Sequence, residues 1–157
     1  MVALPWILLF SPAMACIGIV LLTRHSRSGS AGLAIGGMAV SFICSALALL
    51  HLSQTGHGLE STLQWVQLPG LELEFGLLLN APAILMSLVV TGVGLMIFIY
   101  SVGYMVKEPG MIRYFACLSG FAFSMLGIVL ANNFVTLFIF WELVGASSYL
   151  LIGHWYE

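Results

Sequence analysis

From Asn133 to Gly153 the chain reads NFVTLFIFWELVGASSYLLIG. That is an uninterrupted apolar run of about 20 residues, the length a helix needs to cross the ~30 Å hydrocarbon core of a bilayer. One carboxylate, Glu142, stands about halfway along it. An acid at that depth costs roughly 2.5–3.5 kcal/mol on insertion scales, and such residues mostly serve a function. The segment therefore indicates a membrane fold and a candidate functional residue together.

The rest of the chain agrees. It is 61% hydrophobic and 6% charged, against about 25% charged residues in a soluble domain. Five segments reach membrane length: 4–23, 31–51, 81–105, 111–131 and 133–153. The expectation is an all-α membrane protein forming a single membrane domain over 1–157, with little length left for an extramembrane catalytic domain. All four basic residues fall in two loops, Arg24 and Arg27 after the first segment and Lys107 and Arg113 around the link from third to fourth. The positive-inside rule puts both loops in the cytoplasm, so the N-terminus lies outside and the C-terminus inside. Ser11–Cys16, SPAMAC, faintly resembles a lipoprotein cleavage site, but nothing basic precedes the apolar run and the run continues past Cys16. A retained first helix is the expectation.

Between the second and third helices lies an outer loop, 52–80. Within it Leu71, Leu73 and Phe75 alternate with Glu72 and Glu74, a period of two, after the turn dipeptide Pro69-Gly70. The pattern predicts an extracytoplasmic β-hairpin with its apolar side on the helix ends and its glutamates in solvent. Asn80 before Ala81-Pro82 predicts an N-cap for the third helix. Pro12 predicts a kink in the first. Gly32 and Gly36 predict a close helix–helix contact in the second.

Cys16, Cys44 and Cys117 sit in different helices with no CxxC spacing, and read as small buried apolar residues. His25, His51, His57 and His154 lack close partners at ligand spacing and read as interface residues. No metal site, nucleotide loop, nucleophile–base–acid set or nucleic-acid-binding patch is present in the sequence.

On a helix Glu142 shares a face with Phe138, Ile139, Gly145, Ala146 and Tyr149. The small run Gly145-Ala146-Ser147-Ser148 lets a neighbouring helix approach closely, so the carboxylate is expected to face protein or internal water. Burial raises a carboxyl's pKa and a nearby cation lowers it; a group that moves between such environments can take up and release a proton. No Lys, Arg or Asp of this chain lies at matching depth, so a strong ionic partner has to come from elsewhere. The alternative is a protonated Glu142 that ties helices together through a serine or a backbone carbonyl.

FIFWELVGASSYLLIGHWYE, around Glu142, resembles the fifth-helix signature of subunit L of proton-pumping NADH:quinone oxidoreductase, respiratory complex I. TGVGLMIFIYSVGYM and EPGMIRYFACLSGFAFSMLGIVLANN resemble the third and fourth helices of that family, in order and spacing. The resemblance is strong from about Asn80 onward and mainly topological before it. It implies an antiporter-like membrane-arm subunit that moves protons, driven by quinone reduction elsewhere in the complex. Glu142 matches the family's fifth-helix glutamate. NADH, flavin, iron–sulfur clusters and quinone would belong to other subunits, with no cofactor in this chain. The implied partners are the other membrane-arm subunits and membrane lipid, in a bacterial inner membrane.

Family members are several times longer and carry channel lysines on later helices, so this chain is expected to be an N-terminal fragment, inactive when isolated. It also has Asn80 where many relatives have aspartate and Phe98 where many have histidine, which removes any expected polar role there. Related chains of multisubunit sodium/proton antiporters and membrane-bound hydrogenases share the fold. They leave a second reading open, as does an inactive structural module.

Overall fold

The computed structural model describes residues 3–23, 26–68, 71–106, 108 and 110–153, with backbone only at 65–68 and 71–73. Five helices and one hairpin follow in the order α1 (Leu4–Leu21), α2 (Arg27–Thr55), β1 (Leu59–Leu68), β2 (Leu71–Leu79), α3 (Ala81–Met105), α4 (Met111–Leu130) and α5 (Phe134–Ile152). All five helices are long and apolar enough to cross a membrane. Their outward surface carries Met14, Val20, Ile43, Leu50, Val93, Met96 and Ile99, all exposed. Such a surface suits lipid.

The helix ends follow from local chemistry. Ser26 starts α2 by accepting a bond from the Gly29 amide at 3.2 Å, and Gly56 ends it in the left-handed region at φ 68°. The helix thus runs beyond 31–51 at both ends, because capping chemistry rather than hydropathy sets its limits. Asn80 caps α3 by accepting from the Ala83 amide at 3.0 Å. The proposed Pro69-Gly70 turn lies outside the described residues, as do Arg24, His25, Lys107 and His154.

Helix α4 touches every other helix, and α2 packs on α1 and α3. In a bilayer, helices gain little from hiding apolar surface from water, so small side chains and hydrogen bonds govern their association. The inward face of α2 shows this with Ser30, Ala31, Ala34, Ser41, Ser45 and Ala48 all buried. The close approach of α1 and α2 is made at Gly37, where a Cβ would stand 2.7 Å from Ala15 Cβ and 2.9 Å from the Ser11 carbonyl oxygen. Gly32 and Gly36, expected to make that contact, have open space around them. The spacing of small residues was readable, but which of three glycines met α1 depended on the rotation of α2.

Pro12 lies inside α1, which remains continuous from Leu4 to Leu21. Proline has no N–H, so the Leu8 carbonyl loses its helical donor. Ser41 of α2 replaces it, its hydroxyl donating to the Leu8 oxygen at 2.7 Å, while Ser11 stands 2.6 Å from the Ser41 hydroxyl and 3.0 Å from the Gly37 carbonyl. An inter-helix hydroxyl thus satisfies the group that proline orphans. Ser41→Ala should strip this carbonyl of its donor and cost about 1–3 kcal/mol. A thermal unfolding series in detergent, with Ser53→Ala on an exposed position as control, would register it.

The strands pair antiparallel from Leu59↔Leu79 to Leu68↔Leu71, with a bulge between Gln64 and Val66. Along β2 the alternation holds: Leu77 and Leu79 are fully buried, Phe75 is half-buried and Glu74 is exposed. The buried leucines pack with Leu8, Leu9, Ile84, Leu126 and Leu130, so the hairpin closes one end of the helix bundle. Trp6 of α1 donates its indole N–H to the Ser61 hydroxyl at 2.8 Å, anchoring β1 as well. Arg27, at the other end of the bundle, donates to the Val106 carbonyl at 3.3 Å and joins the start of α2 to the end of α3.

Candidate functional site

Helix α5 begins where the hairpin holds it. The Asn133 side chain accepts from the Thr136 amide at 2.8 Å, capping the helix, and its Nδ2 donates to the Glu74 carbonyl of β2 at 2.7 Å. The Asn132 amide donates to the Gly76 carbonyl at 3.2 Å, and Ala131 forms a β-bridge with Leu77. The short link between α4 and α5 is thereby joined to the hairpin as well as capped. This contact with a strand distant in sequence carries no local signal.

Below the cap, α5 leans on α4 along a narrow stripe. Thr136 and Phe140 are its buried residues. The Phe140 ring fills the space over Gly127, where a Cβ would overlap it. Around it Phe123 lies edge-on at 5.3 Å between centroids, and Phe75 of the hairpin stands at 6.0 Å. Trp6, Phe10 and Phe75 extend the aromatic cluster onto α1 and β2. Edge-to-face aromatic contacts add about 0.5–1.5 kcal/mol each beyond burial.

Glu142 follows Phe140 by two residues, about 200° around a helix with 3.6 residues per turn. Burying Phe140 therefore turns Glu142 away from α4. The carboxylate is exposed, and among the described residues it has no hydrogen bond or ion pair. Phe138, Gly145, Ala146 and Tyr149 share the open face, while Ile139 is half-buried. The shared face is as the spacing indicated. Within this chain the carboxylate lies on the side of α5 turned away from α4. Nor does a serine tie it down: Ser147 donates to the Leu143 carbonyl at 2.8 Å, within its own helix. Arg113 lines a cleft with Tyr149, Leu150, Ile152 and Gly153. Tyr149 lies two turns from Glu142, about 10 Å along the axis.

The other sequence candidates separate from this face. Phe98 is buried and packs tilted against Phe115, with centroids 6.3 Å apart, so that position belongs to the apolar core. Asn80 is occupied as a cap. The cysteines are free, and among the described residues no group of three or more His, Cys, Asp or Glu side chains could hold a metal.

Five helices long and apolar enough to cross a membrane, closed at one end by a hairpin and carrying an exposed carboxylate at mid-helix on α5, define a helical membrane protein. Residues 65–115 match the family described as NADH-ubiquinone oxidoreductase (complex I), chain 5 N-terminus. The chain is 37% identical over 161 aligned residues to NAD(P)H-quinone oxidoreductase subunit 5 of Zygnema circumcarinatum chloroplasts, covering 96% of this chain and 22% of that protein. It is 36% identical to chain 5 of the Synechocystis enzyme, over 98% of this chain and 23% of the relative. With NADH-quinone oxidoreductase subunit L of Neisseria meningitidis the identity is 41%, over 85% of this chain and 20% of the relative. The chain belongs to this family of complex I chain 5 and subunit L proteins, and it spans about a fifth of the length of these relatives.

Proposed function

We propose that this chain acts within the membrane arm of a nicotinamide-dependent quinone oxidoreductase, and that Glu142 takes up and releases protons there as quinone is reduced elsewhere in the complex. The observation that carries this is the position of Glu142: a carboxylate at mid-helix, uncovered within its own chain, beside small residues that admit another helix. A carboxylate in that setting costs too much to keep for packing alone, and carboxylate chains are how pumps relay protons. The relatives, named as subunits of NAD(P)H- or NADH-quinone oxidoreductases, supply the reaction.

In this reading NADH, flavin, iron–sulfur clusters and quinone reside on other subunits. The partners are the neighbouring membrane-arm subunits and surrounding lipid, and the whole of 1–157 is one membrane domain. Arg27 and Arg113 lie at the end of the bundle opposite the hairpin. By the positive-inside rule that end is cytoplasmic, with the hairpin and the N-terminus outside a bacterial inner membrane. In this reading the chain works only together with its partner subunits, and among the described residues no cation bonds Glu142.

The complete complex in proteoliposomes tests the assignment. Proton uptake that requires both a nicotinamide donor and a quinone is the expected outcome. Sodium/proton exchange that proceeds without either would replace this reading with the antiporter one.

A further inference from the structure

We infer that Phe140, seated on Gly127, is a positioning residue that sets the rotation of Glu142 about α5, an inference that rests on the proton-handling reading of Glu142. Three observations bear on it. Helix α5 packs mainly on α4, with lesser contacts to the hairpin at its start and at Phe140, so the Phe140 stripe is its main rotational anchor within this chain. Phe140 is 2% exposed and Thr136 1%, one turn apart on the same stripe, whereas Phe138, Trp141, Leu143 and Tyr149 are exposed. The Phe140 ring also occupies the place of a side chain at Gly127, a fit open to glycine alone.

The consequence is geometric. With the ring in that notch, Glu142 lies on the far side of α5, as the helical angle requires. Depth is fixed from the other end, where Asn133 joins the helix start to the Glu74 carbonyl. Rotation and depth are thus set by two separate contacts, neither of which touches the carboxylate. A methyl group at Gly127 would meet Cγ, Cδ1 and Cε1 of the ring. Cγ moves only by turning the whole ring about Cα–Cβ, out of its packing with Phe123 and Phe75, so either the ring leaves its seat or α5 shifts.

The test uses the complete complex with Gly127→Ala, Phe140→Leu, the double variant and Glu142→Gln, each checked for assembly and then for protons moved per electron pair. Gly127→Ala should lower proton translocation by roughly tenfold while assembly persists, since a misplacement of about 1 Å can cost on the order of a hundredfold. Phe140→Leu in the Gly127→Ala background should restore most of it by vacating the contested space. That rescue separates positioning from general damage, because two independent packing defects would add instead.

Normal translocation in assembled Gly127→Ala, or a double variant no better than the single, would overturn the inference. If Gly127→Ala does not assemble, Phe140→Leu alone decides: a reduced yield of protons supports the inference and a normal one ends it. Glu142→Gln keeps the two ideas apart. Normal pumping there removes the proton-handling reading itself, whereas lost pumping there beside normal pumping in Gly127→Ala removes only the positioning role.

Discussion

Glu142→Gln in the complete complex should abolish most proton translocation, by roughly a hundredfold or more if the carboxylate is an obligatory proton carrier, while leaving the subunit inserted and assembled. Glutamine keeps the length and shape of the side chain but cannot exchange a proton as an acid does. Among the described residues nothing is bonded to the carboxylate, so no described contact is lost. Insertion should be eased, since an uncharged amide costs less in the bilayer than an ionised acid. Acidification of vesicles driven by the nicotinamide donor, normalised to the amount of assembled complex, measures the effect. Glu142→Asp retains the chemistry but withdraws it by one methylene, and should fall between wild type and glutamine. Wild-type pumping by assembled Glu142→Gln would end the proposal.

The second large effect concerns the fold. Gly37→Val should separate α1 from α2, because even its Cβ would be 2.7 Å from Ala15 Cβ and 2.9 Å from the Ser11 carbonyl, and the latter is backbone. Overpacking of this kind costs about 1–3 kcal/mol where the surroundings can adjust, and more where they cannot. It would also disturb the Ser11 and Ser41 hydroxyls that stand beside Gly37 and supply the donor to the Leu8 carbonyl. Gly36→Val, one residue away, meets open space and should leave stability within about 0.5 kcal/mol, as surface changes usually do. Unfolding midpoints of the two variants, measured side by side in detergent, make the comparison. Equal stability of both would show that α1 and α2 are not held together at Gly37.

How far the sequence could be read depended on the range of the signal. Hydropathy announced five helices because each must satisfy its backbone internally and meet lipid outside, a demand made residue by residue. The hairpin was legible from the alternation around Glu72, Glu74 and Phe75, and the burial of Leu77 and Leu79 continues that period. Asn80 showed its capping role through its two following residues. The GxxxG spacing at Gly32 and Gly36 misled for a definite reason: such a spacing says that a helix has a smooth strip, but not which partner lies against it. The glycine in contact is Gly37, selected by how α2 turns toward Pro12 and Ser11.

The same division runs through the candidate site. The sequence by itself determined that a carboxylate stands midway along a membrane-length helix beside a run of small residues. Composition, segment length and local periodicity suffice for that, because the cost of burying charge in lipid acts at a single position. Tertiary structure alone decided which way Glu142 faces. That direction follows from a ring on α5 meeting a missing side chain on α4, and from an asparagine bonding to a strand fifty-nine positions earlier. Packing between segments so distant in the chain leaves no periodic trace, because it depends on complementary shape between two surfaces.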